Sequence, residues 1–271
     1  MKHFSFQPFS EYPECTLTAY IHDKSPELKI EARPAVVVCP GGAYMFLSDR
    51  EAEPVALQLF AQGFNVFTLY YSFGEQAKEN RPIIEVCKTV KLLREHAEEY
   101  DVDSDRVFVN GYSAGGHLAA ACGAMYDLPE IRSAVGCENN DLHRPTGVVL
   151  AYPVIVSDKY DHRDSFSMLC GSHDATKEQR AYYSVERYVT KKTAPAFIWH
   201  TVEDMLVPVQ NSIIYSKQLA DNGVSFELHI YPHGPHGLVL CNKETSQGDS
   251  IYERPECERW VADACRWMHN F

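Results

Sequence analysis

The sequence lacks the features that mark several specialised classes of protein. None of its apolar runs is long enough to cross a bilayer, and it has no internal repeat or low-complexity tract. The segment from Met1 to Pro8 has no apolar stretch followed by a small-residue cleavage site, so we expect no secretory leader. These absences favour a globular protein with no membrane partner, and we expect it in the cytoplasm.

Basic residues are also scarce relative to acidic ones. The 271 residues include 25 Lys and Arg against 37 Asp and Glu, a formal net charge of −12. Proteins that bind nucleic acid neutralise phosphates with clustered positive charge. The acidic balance therefore argues against nucleic acid as a partner, and the scattered charges indicate a solvated acidic surface.

Cysteine motifs are missing as well. The nine cysteines are dispersed without a C-x-x-C pair, and the odd count leaves at least one unpaired. Cys39, Cys87 and Cys122 lie in apolar segments, where a free cysteine behaves as a small core residue. This usage is typical of a reducing compartment, and we expect neither a disulfide scaffold nor a metal site.

Alternating strand and helix patterns run through the chain. The predicted strands are Thr16 to His22, Ala35 to Cys39, Asn65 to Tyr71, Arg106 to Asn110, Gly147 to Tyr152, Ala196 to His200 and Ser225 to Tyr231. The predicted helices are Glu51 to Gln62, Pro82 to Glu99, Ser212 to Asn222 and Arg254 to Met268. This alternation predicts an α/β fold with a mostly parallel central sheet flanked by helices. We expect residues 1–271 to form a single domain.

The segment from Ile155 to Thr193 interrupts the alternation. It is polar, charged and rich in aromatic residues, which indicates short helices rather than another strand–helix unit. We expect it to form a small cap over the functional site. A surface insertion with no role in binding is the alternative.

A serine lies between a strand and a helix in the run Gly111-Tyr112-Ser113-Ala114-Gly115-Gly116. A tight turn of this kind projects the serine hydroxyl from the sheet edge, and the glycines leave room for the close backbone approach. The run therefore predicts a nucleophile elbow at Ser113. An ordinary glycine-rich turn is the alternative.

A serine nucleophile needs a base, and the base needs a carboxylate that orients it. Asp204 lies on the loop after the strand Ala196 to His200 and is the favoured acid, with Glu203 as its nearest rival. The aspartates of the predicted cap are less favoured; they are Asp158, Asp161, Asp164 and Asp174.

Two histidines follow the last predicted strand, each with a glycine after it. His236 is the favoured base because Gly234-Pro235 gives a turn that can present it, and His233 is the alternative. We interpret the other candidates as packing or structural residues; they are His117, His200 and His229.

Ester hydrolysis also needs backbone N–H groups that meet the negative charge of the tetrahedral intermediate. The N–H of Ala114 is one candidate, because it begins the helix after the serine. Gly41 and Gly42, after the strand Ala35 to Cys39, are the candidates for the other donor. A plain turn after a buried strand is the alternative there.

These sites together resemble the α/β-hydrolase superfamily, in particular its acetylesterase/lipase group. That group includes hormone-sensitive-lipase-like esterases and relatives of acetyl xylan esterases. Five motifs in the family's order carry the resemblance: Cys39-Pro-Gly-Gly-Ala-Tyr44, Ser48-Asp-Arg-Glu-Ala-Glu-Pro54, Gly111-Tyr-Ser-Ala-Gly-Gly116, His200-Thr-Val-Glu-Asp204 and His233-Gly-Pro-His-Gly237.

The resemblance implies Ser113 as nucleophile, Asp204 as triad acid and His236 as base. It implies oxyanion donors at Gly41, Gly42 and Ala114, although Pro40 stands where the family has the histidine of His-Gly-Gly-Gly. The implied substrate is a small ester with a short acyl chain, acetyl above all, with acetylated carbohydrates such as xylo-oligosaccharides as one class. No metal or organic cofactor is implied, and the group allows a homodimer.

Three rival functions share the fold. Serine peptidases of this kind usually carry an additional propeller domain, for which we expect no room in this length. A long-chain lipase calls for a larger and more apolar lid than Ile155 to Thr193 offers. A non-catalytic ligand-binding protein on the same scaffold typically loses a triad residue, whereas all three are found here.

Overall fold

One mixed sheet organises the chain in a computed structural model that describes all 271 residues. Its eight strands are β1 (Lys2–Phe6), β2 (Thr16–Ile21), β3 (Arg33–Cys39), β4 (Asn65–Tyr70), β5 (Val102–Tyr112), β6 (Gly147–Ala151), β7 (Ala196–Thr201) and β8 (Phe226–Tyr231). Their spatial order is β1-β2-β4-β3-β5-β6-β7-β8. The six strands from β3 to β8 pair in parallel, and β1 and β2 extend the sheet in antiparallel fashion.

Helices cover both faces of this sheet. They are α1 (Glu53–Ala61), α2 (Arg81–Glu95), α3 (Ala114–Ala124), α4 (Pro129–Val135), α5 (Arg163–Cys170), α6 (Lys177–Ala181), α7 (Gln210–Asp221), α8 (Pro255–Glu258) and α9 (Trp260–His269). Residues of α2, α3 and α7 share one hydrophobic cluster, and residues of α1 and α9 share a second. The predicted α/β-hydrolase architecture is confirmed.

The central strands are buried on both sides, which explains their continuous apolar sequence. In β5, Val107 and Val109 pack into one cluster, whereas Phe108 and Tyr112 pack into the other. Side chains alternate between the two faces of a strand, so two helical layers need apolar residues at successive positions. This burial fixes the register of the strands that carry the functional loops.

The segment from Ile155 to Thr193 forms α5, α6 and a short 3₁₀ turn at Val185–Tyr188. Its buried Phe166 meets the ring of His117 on α3 edge-on, with centroids 5.6 Å apart. The segment therefore packs against α3.

The structure differs from the sequence expectations mainly at element ends. Strand β1 was not predicted; it is an exposed edge strand that forms a hairpin with β2, so it carries no core pattern. Helix α2 ends at Glu95 rather than Glu99, and the predicted terminal helix is interrupted at Arg259. No helix has the length and apolar character needed to span a bilayer.

One buried carboxylate on α2 gives the fold a pH dependence. Glu85 is buried and accepts hydrogen bonds from Ser72, including the backbone N–H at 2.8 Å. Burial raises the pKa of Glu85 to about 7 from an ordinary value of 4.5, and the Ser72 hydrogen bonds only partly oppose it. The folded state therefore holds a proton that the unfolded chain releases between these two pH values.

We expect Glu85→Gln to remove a loss of stability that the wild type suffers as pH rises from 4.5 to about 7. Over that range the unfolded state releases the Glu85 proton first, which favours unfolding by about 3 kcal/mol at the upper end. Urea unfolding at several pH values measures the difference between the two proteins. Parallel stability curves would contradict this account.

Candidate active site

The predicted functional residues lie together at the carboxyl edge of the parallel strands. Gly41 and Gly42 follow β3, Ser113 follows β5, Asp204 follows β7, and His236 follows β8. Because these strands are parallel, their carboxyl ends meet at one edge, which is where ligands gather in α/β sheets.

Ser113 occupies a tight turn between β5 and α3. Its backbone has φ 53° and ψ −116°, a conformation that is costly for a residue with a side chain. A Cβ at Gly111 would lie 1.9 Å from the carbonyl oxygen of Gly115, and one at Gly115 would lie 2.1 Å from that of Cys39. The two glycines are thus sterically required for the turn that projects the serine.

The structure brings three side chains into one hydrogen-bonded line. His236 Nε2 lies 2.8 Å from Ser113 Oγ, and His236 Nδ1 lies 2.6 Å from Asp204 Oδ2. The carboxylate of Asp204 is fully buried, while the His236 side chain is 14% exposed. This arrangement can pass a proton from the serine to a histidine whose tautomer is fixed by the acid.

Asp204 is held as an anion by several donors. Its Oδ1 accepts the N–H groups of Leu206 and Val207 at 3.0 and 2.8 Å, and His200 Nε2 lies 3.2 Å from Oδ2. Burial disfavours the charged form, but the hydrogen bonds of His200 and His236 outweigh it and hold the pKa of Asp204 well below its usual range. The carboxylate is therefore ionised at neutral pH.

The rival acid and the rival base pair with each other instead. His233 Nδ1 lies 2.8 Å from Glu203 Oε1, and both side chains are more than half exposed, at 64% and 55%. Neighbouring residues of the same two loops thus face opposite ways: Asp204 and His236 toward Ser113, Glu203 and His233 toward solvent.

Two of the other histidines considered from the sequence, His117 and His200, are buried. His117 is buried, with Nε2 donating to the carbonyl of Tyr183 at 2.7 Å and Nδ1 accepting the Tyr44 hydroxyl at 2.8 Å. His200 was interpreted as structural, yet its contact with Asp204 brings it against the proposed triad. Its position within a buried strand gave no sign of that contact.

The candidate oxyanion donors differ in availability. The sequence predicted the N–H of Gly41 as an oxyanion donor. In the structure this N–H donates to Glu51 Oε2 at 2.7 Å, so it is not free to meet a substrate oxygen. The N–H of Gly42 has no partner within the protein, and neither has that of Ala114 at the first position of α3. Two candidate donors therefore remain, Gly42 and Ala114.

Two further buried residues join the loops of the site, and neither was singled out from the sequence. Glu51 Oε1 accepts the Tyr152 hydroxyl at 2.8 Å, and the Tyr152 oxygen accepts the N–H of Val239 at 3.2 Å. The Tyr152 ring also meets the His236 ring edge-on, with centroids 5.0 Å apart. Glu51 lies in the motif Ser48 to Pro54, but a 3₁₀ turn there leaves no periodic signal of burial.

A cavity of about 580 Å³ opens directly beside Ser113 and His236. Its apolar lining consists of Ala43, Phe46, Leu47 and Leu206. Most other lining side chains are polar or charged, including Asp49, Arg50, His162 and Gln247. The cavity suits a small ligand with polar groups.

Comparison with known proteins assigns the family. The BD-FAE profile, which describes an α/β-hydrolase family, matches residues 24–219. The chain belongs to the BD-FAE family. Endo-1,4-beta-xylanase B of Butyrivibrio fibrisolvens is 32% identical to this BD-FAE chain. The match covers 86% of this chain and 36% of the xylanase. Acetylxylan esterase of Xylanibacter ruminicola is 30% identical over 75% of the chain and 41% of its own length.

A solved structure extends this relationship over nearly the whole BD-FAE chain. The acetyl ester-xyloside bifunctional hydrolase of Caldicellulosiruptor lactoaceticus is 32% identical, with a TM-score of 0.78 over 97% of this chain and 89% of its own. The chain spans well under half the length of the two curated relatives. These similarities place it in an α/β-hydrolase family whose named relatives include esterases.

We expect Gly115→Ala to destabilise this BD-FAE protein by at least about 2 kcal/mol, because the new Cβ overlaps the end of β3. The clash with the Cys39 carbonyl at 2.1 Å can be relieved only by moving α3, which also displaces Ser113. Thermal unfolding measures the loss. Gly123→Ala on the same helix is the control, since its new Cβ would lie no closer than 3.2 Å to a side-chain atom. Equal effects of the two variants would contradict the steric account.

Proposed function

We propose that this protein hydrolyses short-chain carboxylic esters, acetyl esters above all, through a Ser113–His236–Asp204 triad. The observation that carries the proposal is the unbroken pair of hydrogen bonds from Ser113 Oγ through His236 to Asp204, at 2.8 and 2.6 Å. Serine and histidine within hydrogen-bond reach, with a third group orienting the base, is the arrangement that activates a serine nucleophile.

In the first half-reaction, His236 Nε2 takes the proton of Ser113 as the serine oxygen attacks the ester carbonyl. Asp204 accepts the N–H at Nδ1, which keeps the tautomer required for this step and stabilises the positive ring that forms. The protonated His236 then donates its proton to the departing alcohol. The acyl group remains on Ser113.

In the second half-reaction, water takes the place of the alcohol. His236 removes a proton from this water, which attacks the acyl–serine carbonyl and releases the acid. His236 then returns the proton to Ser113. Three side chains, backbone N–H groups and water are the groups that this proposed reaction uses.

The proposed oxyanion donors are the backbone N–H groups of Gly42 and Ala114. Both are free of other partners; Gly42 lies on the loop after β3, and Ala114 begins α3 directly after Ser113. Gly41 contributes space rather than a donor, since a Cβ there would lie 2.9 Å from that of Ser113. Fixed donors of this kind contribute about 3 kcal/mol each to transition-state stability in related chemistry.

The proposed substrate is an acetyl ester of a small polar alcohol, with acetylated xylo-oligosaccharides as the leading class. Only four of the 14 residues that line the cavity beside Ser113 are apolar, which favours a small polar ester over one with a long acyl chain. Two of the relatives carry names that refer to acetylated xylan or to acetyl esters and xylosides. A carbohydrate alcohol would meet the polar wall that includes Asp49, Arg50 and Gln247.

We further propose that the chain acts as one domain with residues 155–193 as its cap. One sheet spans the chain from β1 to β8. The cap reaches the cavity through His162, whose pKa is lowered, chiefly by burial, so that the ring is neutral at neutral pH. This places an uncharged hydrogen-bonding group in the cavity wall.

Paired substitutions in the two loops test the triad. We expect His236→Ala and Asp204→Asn to lower kcat/KM for p-nitrophenyl acetate by about 10⁴-fold or more, because each removes part of the proton relay. His233→Ala and Glu203→Gln are the matched controls. They alter an exposed pair on the same loops and should leave kcat/KM within about threefold of wild type. Loss of activity in the controls but not in the triad variants would reverse the assignment.

The acyl-chain profile tests the substrate class. We expect turnover of p-nitrophenyl esters to be highest for acetate, to fall as the chain lengthens to palmitate, and to vanish in Ser113→Ala. Acetate release from acetylated xylo-oligosaccharides, followed by chromatography, tests whether the alcohol part of the substrate is a carbohydrate. Absence of turnover on every ester would contradict the proposed function and favour a peptidase or a non-catalytic ligand-binding protein.

A further inference from the structure

A buried carboxylate lies beneath the loop that carries one proposed oxyanion donor. Glu51 is 4% exposed and belongs to the motif Ser48 to Pro54, for which the proposed reaction has no role. Its two oxygens are both engaged, Oε2 by the N–H of Gly41 and Oε1 by the hydroxyl of Tyr152. We propose that Glu51 is a positioning residue that aims the N–H of Gly42 at the oxyanion and couples this loop to the loop of His236.

The Gly41 residue is held at both of its backbone polar groups. Its N–H donates to Glu51 Oε2 at 2.7 Å, and its carbonyl accepts the N–H of Ser48 at 3.0 Å. Because a peptide group is planar and trans, the N–H of Gly42 points opposite to the carbonyl of Gly41. Fixing Gly41 therefore fixes the direction of the Gly42 donor.

Glycines make this support necessary. Gly42 has φ +131°, and a Cβ there would lie 2.0 Å from the carbonyl oxygen of Phe46, so only glycine fits at this position. Because glycine has a flexible backbone, the loop needs other contacts to hold its conformation. Pro40 contributes no side-chain donor to hold the loop; instead its carbonyl accepts the Tyr71 hydroxyl at 2.5 Å. The side-chain contact on the Gly41 N–H itself comes from Glu51.

The second oxygen of Glu51 reaches the base. Tyr152 donates to Oε1 at 2.8 Å, accepts the N–H of Val239, and lays its ring edge against His236. Val239 is three residues past His236 on the same loop. A single buried carboxylate thus links the proposed oxyanion donor and the proposed base, which must act on the same intermediate.

Three substitutions at Glu51 separate its two hydrogen bonds from the presence of a carboxyl group. In Glu51→Gln the amide oxygen can accept from Gly41 while the amide N–H donates to the Tyr152 oxygen, which reverses the direction of that hydrogen bond, so kcat for p-nitrophenyl acetate should stay within about threefold of wild type. Glu51→Asp keeps the carboxyl group but is too short to hold both contacts. We expect Glu51→Asp and Glu51→Ala to lower kcat by about 10²-fold with little change in KM.

Benzeneboronic acid gives a readout that general destabilisation does not move. The Ser113 oxygen bonds to boron, its proton passes to His236, and a boronate hydroxyl takes the place of the oxyanion. The inhibition constant should rise in Glu51→Asp and Glu51→Ala by about the factor by which kcat/KM falls. Glu85→Gln and Glu85→Ala are the controls, because Glu85 is also buried and also accepts a backbone N–H, that of Ser72. These controls should change the unfolding temperature without changing kcat.

The proposal is overturned if folded Glu51→Asp and Glu51→Ala keep wild-type kcat and boronate affinity while only their unfolding temperature falls. Should Glu51→Ala fail to fold, Glu51→Asp alone decides between the two outcomes. The inference rests on the proposed esterase function, but the two can fail separately. Full activity of Ser113→Ala would refute the triad, whereas an inactive Ser113→Ala beside an unimpaired Glu51→Asp would refute only the role of Glu51.

Discussion

The close approach of α3 to the ends of β3 and β5 is the constraint on which the site depends. Gly111 and Gly115 have no side chains, and a Cβ at either position would clash with backbone atoms. The backbone of α3 can therefore lie directly against the ends of β3 and β5. This proximity brings Ser113 beside the loop after β3, where a Cβ at Gly41 would lie 2.9 Å from that of Ser113. Asp204 and His236 reach Ser113 from the loops that follow β7 and β8. These loops must be long enough to extend along the carboxyl edge of the sheet.

Backbone strain gathers around this same edge. Residues with a side chain and positive φ include Ala43, Tyr44, Ser113, Tyr152 and Val239, each on a loop that lines or supports the site. Such conformations cost roughly 1–3 kcal/mol each and persist only where surrounding contacts determine them. The buried hydrogen bonds of Glu51, Tyr152 and His117 are contacts of that kind. The buried polar groups thus stabilise the positive-φ conformations of the site loops as well as the fold.

The sequence predicted the central sheet because buried parallel strands carry continuous β-branched runs, as in Val36 to Val38 and Val107 to Val109. It did not predict β1, whose residues face solvent and therefore carry no such pattern. The elbow, the acid loop and the histidine loop were also predicted, since each follows a recognisable strand. The choice between Asp204 and Glu203, or between His236 and His233, depended on which way a loop residue points, and that direction is set by tertiary contacts. Glu51 was missed for a related reason: its burial comes from the loop folded over it.

Strand β8, which carries the loop of His236, is the outer strand of the sheet and is only partly buried. An edge strand pairs with a neighbour on one side only, so it opens more readily than the strands within the sheet. The proposed nucleophile and the proposed oxyanion donors belong to the deeply buried centre, whereas the proposed base belongs to this margin. Fraying of the margin would remove the proposed base from the site while its centre stays folded, and the proposed activity would be lost before most spectroscopic signs of unfolding.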